Sequence, residues 1–398
     1  MKNFLFISNW TQGNGMSGGD RIWIEFAKKW KEKMHISVMG SPEAKIISER
    51  YGLDGIDFFV SMDKIKTGNN LSNVNLIKNL VARTIKAVLG TRKIKIKFDS
   101  ELYVYSVSDF WPDFFPAFMM KIFHPKITWI AGFYLFAPTP WKKDTPYVGK
   151  NKLKGIFYWL IQLPVYVLVK IFADYVFVTS EPDVKYFVTK KRGRERVIVI
   201  QGGVDVTAAA EYHAKNNKIS MDSRKYDACF LGRLHHQKGV LELIDIWKIV
   251  CDRLPQAKLA IIGDGELENE IINKIKEKKL AENIELLGFV DGEEKFDIFK
   301  NSKMMLHPAT YDSGGMASAE GMAWGLPAVS FDLEALKTYY PKGMLKSILG
   351  DNASFADNII KLLKEDDLYV STAKDARDLV FEVWDWEKRA QKIIIQII

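Results

Sequence analysis

The strongest constraint on the fold of this 398-residue chain is an alternation of short apolar runs with longer helical patterns, which occurs twice. The first series has its apolar runs at 3–8, 35–40, 102–108, 127–132, 175–180 and 197–203. The second series restarts near residue 226, with runs at 227–233, 258–265, 284–290, 304–309 and 327–332. Strands that alternate with amphipathic helices indicate βαβ units and parallel sheets. The sequence therefore predicts an α/β protein with two doubly wound, Rossmann-like domains.

The two series set the predicted domain boundaries. Residues 1–205 form the first domain, residues 226–384 form the second, and the polar segment 206–225 is the predicted linker. Open parallel sheets bind their ligands beyond the carboxyl ends of the strands. We therefore expect a ligand cleft where two such sheets face each other, with the functional residues at strand ends.

Composition excludes several other classes of protein. An apolar content of 47% and a charged content of 27% describe a globular chain rather than a disordered or fibrous one. The start MKNFLFISNW lacks the long apolar region of a signal peptide, which predicts a cytoplasmic protein. The two cysteines, Cys229 and Cys251, cannot supply a disulfide framework or a Cys-rich zinc site, and we expect both in the core.

The net charge of +8 is distributed unevenly along the chain. Residues 1–200 contain 31 Lys and Arg against 17 Asp and Glu, whereas the remainder contains 26 against 32. A basic first half suits an anionic membrane surface, a nucleic acid or a phosphorylated substrate, and an ordinary solvated surface is the alternative. No recognisable nucleic-acid-binding module is present, so we expect no nucleic-acid partner.

Polar groups follow the predicted strands of the second half. Arg233 and Lys238 lie just beyond the first strand, after a turn at Gly232. Arginine can bind two oxygens at once and lysine is a mobile point charge, so the pair suits a diphosphate, although two ordinary surface cations would look the same. Gly263 ends the next strand, where a glycine permits close approach of a ligand or simply makes a turn.

A third strand end contains a doubled glycine between two acids. Gly314 and Gly315 precede a predicted helix that begins at Met316, and such a corner can present N–H groups to an anion. Asp312 and Glu320, on either side, can accept hydrogen bonds from sugar hydroxyls. In the simpler alternative Asp312 caps the helix and Glu320 is solvated.

Together these residues describe a site for a nucleotide sugar, and here the sequence resembles the GT-B glycosyltransferases and, within them, glycosyltransferase family 4. The resemblance is strongest over 226–331, where GRLHHQKG, LAIIGDGELE, IELLGFV and the stretch from Asp312 to Glu320 have the family's order and spacing. It implies a retaining transfer of sugar from a UDP- or GDP-sugar to an acceptor hydroxyl, without metal or cofactor. It also implies that a final helix, at about 385–398, packs back onto the first domain.

The resemblance assigns roles to individual residues. Arg233, Lys238 and Asp312 are the implied catalytic residues. The residues implied to bind the donor are Gly19, Gly232, Gly263, Gly314, Gly315, Met316 and Glu320. The family usually has glutamate at both ends of its two-acid motif, and the aspartate at position 312 leaves the identity of the donor sugar open. A nucleotide-sugar epimerase of the same fold and a non-catalytic partner subunit are the alternatives to a transferase.

Two features of the first half point to the acceptor. A glycine-rich loop that ends near Gly19 resembles the family's loop over acceptor and donor phosphate. Asp109 and Asp113 lie among aromatic residues and are candidate acceptor-side residues, with loop acids beside packed rings as the alternative. We expect a lipid-linked or cell-envelope glycan as the acceptor.

The segment 152–172 is unusually apolar and is flanked by lysines. Its uncharged run, 155–169, is shorter than the ~20 apolar residues that a membrane-spanning helix needs. We therefore predict that it lies in the interface of an anionic membrane, at the inner face of the cytoplasmic membrane, with contact through Phe157, Trp159 and Leu160. A buried helix of the first domain is the alternative.

Overall fold

The structure is a computed structural model, and it describes residues 2–11, 16–63, 73–99, 101–142, 145, 147, 149–200, 202–216, 224–312 and 314–398. The chain divides into two compact units. Unit 1 comprises Met1–Gly202 and Trp386–Ile398, and unit 2 comprises Gly203–Asp385. Each unit is a parallel sheet with interleaved helices, so the predicted α/β class is confirmed.

Unit 1 contains a seven-stranded sheet in the order β3-β2-β1-β4-β5-β6-β7. Its strands are β1 (Asn3–Ser8), β2 (His35–Gly40), β3 (Asp57–Val60), β4 (Leu102–Ser106), β5 (Thr128–Gly132), β6 (Tyr175–Val178) and β7 (Val197–Val199). The helices between them are α1 (Gly18–Trp30), α2 (Pro42–Arg50), α3 (Asn73–Gly90), α4 (Trp111–Phe123), α5 (Lys152–Phe172) and α6 (Val184–Phe187). The strand order reverses between β1 and β4, which are neighbours in the sheet.

Unit 2 contains a six-stranded sheet in the order β10-β9-β8-β11-β12-β13. Its strands are β8 (Ala228–Leu231), β9 (Leu259–Ile262), β10 (Ile284–Gly288), β11 (Met305–His307), β12 (Ala328–Phe331) and β13 (Met344–Ser347). Its helices are α7 (Thr207–Lys215), α8 (Val240–Arg253), α9 (Glu268–Glu277), α10 (Gly292–Lys300), α11 (Met316–Ala323), α12 (Glu334–Tyr339), α13 (Asn352–Lys364) and α14 (Asp366–Val383). Here the order reverses between β8 and β11.

The segment predicted as a linker, 206–225, is partly helical. Helix α7 fills 207–215, and the described residues of this segment belong to unit 2. His213 of α7 lies 2.9 Å through Nε2 from the carbonyl oxygen of Ala323 at the end of α11. The sequence analysis did not predict this helix, because a polar composition does not prevent a helix that packs on one side.

Helix α15 (Trp386–Ile397) returns the chain to unit 1. The indole N–H of Trp30 in α1 donates to the carbonyl oxygen of Ala390 at 3.0 Å. Trp386 is buried, and its ring meets the edge of Phe26 with centroids 6.0 Å apart. Buried aromatic rings therefore hold α15 against α1.

The strands form continuous apolar cores because parallel strands are covered by helices on both faces. In unit 2 the strand residues Ala228, Leu259 and Val329 are fully buried. Both cysteines are buried and free, as predicted. Within the part of the chain that the structure describes, α5 alone is long and apolar enough to cross a membrane, and 22% of its apolar window is buried.

Candidate functional site

The candidate site in unit 2 lies at the reversal of the strand order, where open parallel sheets bind ligands. The loop after β8 contains Arg233 and Lys238, and the loop after β11 contains Asp312. The N–H group of Thr310 donates to the carbonyl oxygen of Gln237 at 3.1 Å and ties the two loops together. The structure thus brings residues 74 positions apart, Lys238 and Asp312, into contact.

Two glycines permit this close approach. Gly239 has a φ of 66°, and a Cβ there would lie 1.8 Å from the carbonyl oxygen of Pro308. Gly263 has a φ of 137°, and its Cβ would lie 1.9 Å from the carbonyl oxygen of Gly232. No side chain fits at either position. Gly232 and Gly263, predicted as donor-binding residues, therefore pack the loops after β8 and β9 against each other.

Lys238 and Asp312 form an ion pair at the centre of the site. Lys238 Nζ lies 2.6 Å from Asp312 Oδ2, and His307 Nε2, at the end of β11, lies 3.3 Å from the same oxygen. Burial alone would raise the pKa of the Asp312 carboxyl, but the charge of Lys238 and the contact with His307 hold that pKa well below its usual range. Asp312 is therefore a carboxylate, paired with a lysine.

The doubled glycine is oriented by its own neighbours. The N–H groups of Gly314 and Gly315 lie 3.3 and 3.4 Å from Asp312 Oδ1, which is long for hydrogen bonds. The hydroxyl of Tyr340 donates to the carbonyl oxygen of Gly315 at 2.6 Å. These amides were predicted to contact a phosphate, and in the structure they point at Asp312. Met316 follows as the first residue of α11.

Glu320, predicted to hold ribose hydroxyls, is paired with a lysine that the sequence analysis missed. Lys295 Nζ lies 2.8 Å from Glu320 Oε2 and 2.7 Å from Asp291 Oδ1. Lys295 is only 6% exposed. Burial disfavours its ammonium form, but the attraction of Glu320 and hydrogen bonds to both acids outweigh burial and raise the pKa of Lys295.

Arg233 differs from the two lysines because it is exposed. Its guanidinium has no acidic partner among the residues that the structure describes. Each acid of the motif is thus matched by a lysine, and Arg233 remains an additional positive charge beside them.

Unit 1 has its own polar cluster, at the reversal between β1 and β4. Asp113 is 2% exposed and accepts hydrogen bonds from the N–H groups of Asn9 and Trp10, the latter at 3.1 Å, and from the Ser108 hydroxyl. Burial, reinforced by the charge of Asp20, raises the pKa of Asp113 to about 7 against the hydrogen bonds that lower it.

Asp109 is buried beside this cluster. The Gln162 amide donates to its carboxyl at 2.7 Å, and burial raises the pKa of Asp109 to about 6. Asp109 and Asp113 were predicted as acceptor-side residues, but their carboxyl groups are enclosed and bonded within unit 1. Both acids therefore have polar partners within unit 1, and their acceptor-side role stays a prediction.

A fully buried arginine completes the cluster and was also missed from the sequence. Arg83, from α3, donates through Nη1 to the carbonyl oxygen of Asn9 at 3.0 Å. Its Nη2 lies 3.4 Å from Glu43 Oε1, and its Nε donates to Asn79 Oδ1 at 3.3 Å. Arg83 thereby fixes the backbone that follows β1.

Residues 12–15 of the glycine-rich loop after β1 lie outside the described residues. Gly19 is the second residue of α1, and a Cβ there would lie 3.5 Å from the ring of Tyr134. Ser17 caps the helix by accepting a hydrogen bond from the N–H group of Asp20 at 3.1 Å. Gly19 therefore lies at a capped helix start.

The three predicted membrane contacts on α5 differ in exposure. Leu160 is exposed, whereas Phe157 and Trp159 are half-buried and the ring of Trp159 meets that of Trp141 at 5.0 Å. Across the described ranges, no group of three His, Cys, Asp or Glu side chains is arranged to hold a metal ion.

Comparison with known proteins gives a match to a family model and to two related sequences. Residues 211–379 match the model of the family glycosyl transferases group 1. Over 116 residues the chain is 27% identical to poly(glycerol-phosphate) alpha-glucosyltransferase of Bacillus subtilis. The aligned region covers 29% of this chain and 17% of that protein. Over 227 residues the chain is also 27% identical to an uncharacterized glycosyltransferase of Methanocaldococcus jannaschii. This aligned region covers 55% of this chain and 57% of that protein.

The chain thus spans less than two thirds of the length of either relative. A solved structure extends the comparison to the whole chain. Anabaena HepE in complex with UDP and glucose superposes with a TM-score of 0.69 at 15% identity, covering 100% of this chain and 99% of HepE. The chain therefore has the fold of the GT-B glycosyltransferases, and its residues 211–379 match the family model of glycosyl transferases group 1.

Proposed function

We propose that this chain is a retaining glycosyltransferase that moves a sugar from a nucleoside-diphosphate donor to an acceptor hydroxyl. The observation that supports it is the pairing of both motif acids with lysines at the strand reversal of a unit with group 1 glycosyl transferase sequence. In the reaction, the bond between the anomeric carbon and a diphosphate oxygen breaks. A bond to the acceptor oxygen forms, and the hydroxyl proton is released.

The residues of the site have distinct roles in this proposal. Arg233 and Lys238 stabilise the negative charge that develops on the departing diphosphate, as preorganised cations do in phosphate chemistry. Asp312 orients Lys238 through the 2.6 Å contact. Its side chain is one methylene shorter than the usual glutamate, so it leaves more space for the donor sugar. Glu320 accepts hydrogen bonds from the ribose.

A thermal-shift screen against UDP-, GDP- and ADP-sugars tests the donor class. A nucleotide at 100 times its dissociation constant stabilises a protein by ~2.7 kcal/mol. We expect one of these sugars to raise the melting temperature, and Arg233→Ala to reduce that rise. A flat response to all three would contradict the proposal.

We further propose that the transfer needs no metal, because Arg233 and Lys238 supply positive charge for the leaving group. Turnover should then be unchanged in EDTA. A chelator that abolishes turnover, with recovery on adding Mg²⁺ or Mn²⁺, would contradict this part of the proposal.

We propose that the acceptor is a lipid-linked or cell-envelope glycan and that unit 1 contacts the inner face of an anionic membrane. Support for the acceptor comes from the Bacillus subtilis relative, whose name describes glucosyl transfer to poly(glycerol-phosphate). Support for the membrane comes from α5, whose exposed apolar residues include Leu153, Leu160, Val167 and Ile171.

Helix α3 has an exposed apolar stripe of its own. Its residues Ile77, Val81, Ile85 and Leu89, at a spacing of four, are all exposed, and α4 packs against both α3 and α5. The stretch 73–98 contains seven Lys and Arg and no Asp or Glu. A basic helix with an exposed apolar stripe is typical of proteins that bind anionic membranes.

Sedimentation with vesicles tests the membrane contact. Ile85→Ser combined with Leu160→Ser should reduce binding to anionic vesicles while the melting temperature is retained, because both side chains are more than half exposed. Zwitterionic vesicles are the control. Equal binding of wild type and variant would contradict the membrane proposal and leave the transferase proposal standing.

A further inference from the structure

Lys295 is the most buried lysine among the described residues of unit 2. It lies one turn into α10, its side chain is almost fully buried, and its ammonium group sits between Asp291 and Glu320. Burying an ion pair removes both charges from water, and an apolar residue of similar volume is often at least as stabilising. Stability alone therefore gives little reason for a lysine at this position.

The ion pair between Lys295 and Glu320 joins two helices, and this arrangement suits a functional role. Lys295 belongs to α10 and Glu320 to α11, so the ion pair fixes the carboxylate of one helix from another. Asp291, at the start of α10, holds the ammonium group from the other side at 2.7 Å. A carboxylate can accept about four hydrogen bonds, so the contact with Lys295 at Oε2 is compatible with bonds to ligand hydroxyls.

We propose that Lys295 is a positioning residue that orients the Glu320 carboxylate toward the ribose hydroxyls of the donor. This inference rests on the proposed function, since it assumes that unit 2 binds a nucleoside diphosphate. Lys295 has a second effect in the same site, because its charge compensates Glu320 and so lessens repulsion of an anionic ligand. It touches the acid and not the donor.

The experiment measures discrimination between ribose and deoxyribose. Binding of UDP, GDP and ADP, and of their 2′-deoxy forms, is measured by calorimetry for the wild type. A charge-assisted hydrogen bond to a hydroxyl corresponds to a preference of about 10-fold or more for the ribose form. We expect Lys295→Met to reduce that preference by about 10-fold, because the carboxylate is no longer held in place.

Two variants serve as matched controls on the same helix. Lys300→Met removes a half-buried lysine whose partner is Asp297, and it should leave the preference unchanged. Asp291→Asn removes the outer acid but keeps the contact between Lys295 and Glu320, so the preference should stay within about 3-fold of the wild type.

A double variant keeps the proposal testable if Lys295→Met fails to fold. In Glu320→Gln the acid is already neutral, so adding Lys295→Met should not change the ribose preference further. An additional loss in the double variant would show that Lys295 does not act through Glu320 and would overturn the proposal.

The remaining outcomes distinguish a failure of the positioning role of Lys295 from a failure of the proposed function. A folded Lys295→Met protein with the wild-type preference overturns the positioning role and leaves the proposed function intact. A wild type that binds nucleotides without discriminating the 2′-deoxy forms also overturns the role of Lys295. A wild type that binds none of the nucleotides overturns the proposed function and the positioning role together.

Discussion

Each unit has an aspartate at the point where its strand order reverses, and the two are held in different ways. In unit 2, Asp312 contacts Lys238, and its pKa is well below the usual range. In unit 1, Asp113 is held by backbone N–H groups and a hydroxyl, and burial raises its pKa to about 7. A cation makes the first acid part of a charged site, whereas neutral donors make the second an anchor for the chain after β1.

The largest expected effect is on the loops at the strand reversal of unit 2, and it leaves the strand reversal of unit 1 unchanged. Gly239→Ala places a Cβ 1.8 Å from the carbonyl oxygen of Pro308, so the loops after β8 and β11 must separate. We expect a loss of more than ~4 kcal/mol in the free energy of unfolding, measured by urea denaturation.

Gly288→Ala is the matched control for this prediction. Gly288 has a φ of 67° but open space around its Cβ position, so alanine there costs only the backbone strain of ~1 to 2 kcal/mol. Equal losses at the two positions would show that the contact between the loops is not what requires Gly239.

The second prediction distinguishes Asp312 from Asp113 by removing the lysine that contacts Asp312. Lys238→Met leaves the buried Asp312 carboxylate without its lysine, which should cost ~3 to 5 kcal/mol of stability at pH 7. Adding Asp312→Asn should recover part of that loss. Unchanged stability in the single variant, by chemical denaturation, would mean that the pair is not a buried unit. Asp113→Asn alone should cost less at the same pH, since the amide keeps the shape of the carboxyl and adds no charge.

The smallest effect is a pH dependence of opposite sign in the two units. The folded pKa of Asp113, about 7, lies above its ordinary value of 3.8, so the folded state binds the proton more tightly. Its contribution to stability is therefore full below about pH 4 and is lost as the pH rises to about 7. Asp312 has a depressed pKa, so its contribution is present above the ordinary value and is lost as the pH falls.

Melting curves at pH 5 and pH 8 test this difference. Asp113→Asn should reduce the loss of stability between these pH values, and Asp109, with a pKa of about 6, contributes a remainder of the same sign. A wild type and an Asp113→Asn variant with equal shifts would contradict a protonated Asp113 in the folded state.

The sequence predicts the strands of both sheets well where they are central. Buried parallel strands are continuous apolar runs, and all the runs of both series correspond to strands. The strands without a prediction, β3 and β13, lie at sheet edges and have only four residues each, DFFV and MLKS. The other two edge strands, β7 and β10, were predicted, so position at a sheet edge does not by itself account for the omission of β3 and β13.

The sequence predicts which charged residues follow the strands of the candidate site, but it does not predict which of them form ion pairs. Lys238 and Asp312 stand out because charged residues follow apolar runs. Lys295 does not, because it lies inside a helix with ordinary helical composition, and its burial follows from the packing of α10 on α11. Arg83 was missed for the same reason, since burial of a polar side chain depends on partners far away in sequence.

The return of the chain to unit 1 through α15 has a consequence for biosynthesis. Unit 2 is an insertion between two parts of unit 1, so a ribosome completes unit 2 before it makes Trp386 and the rest of α15. Until then the aromatic surface of α1 around Phe26 and Trp30 has no helix to cover it. The unit that is made first is therefore finished last, and a nascent chain must carry an exposed aromatic face through the synthesis of 183 intervening residues, 203–385.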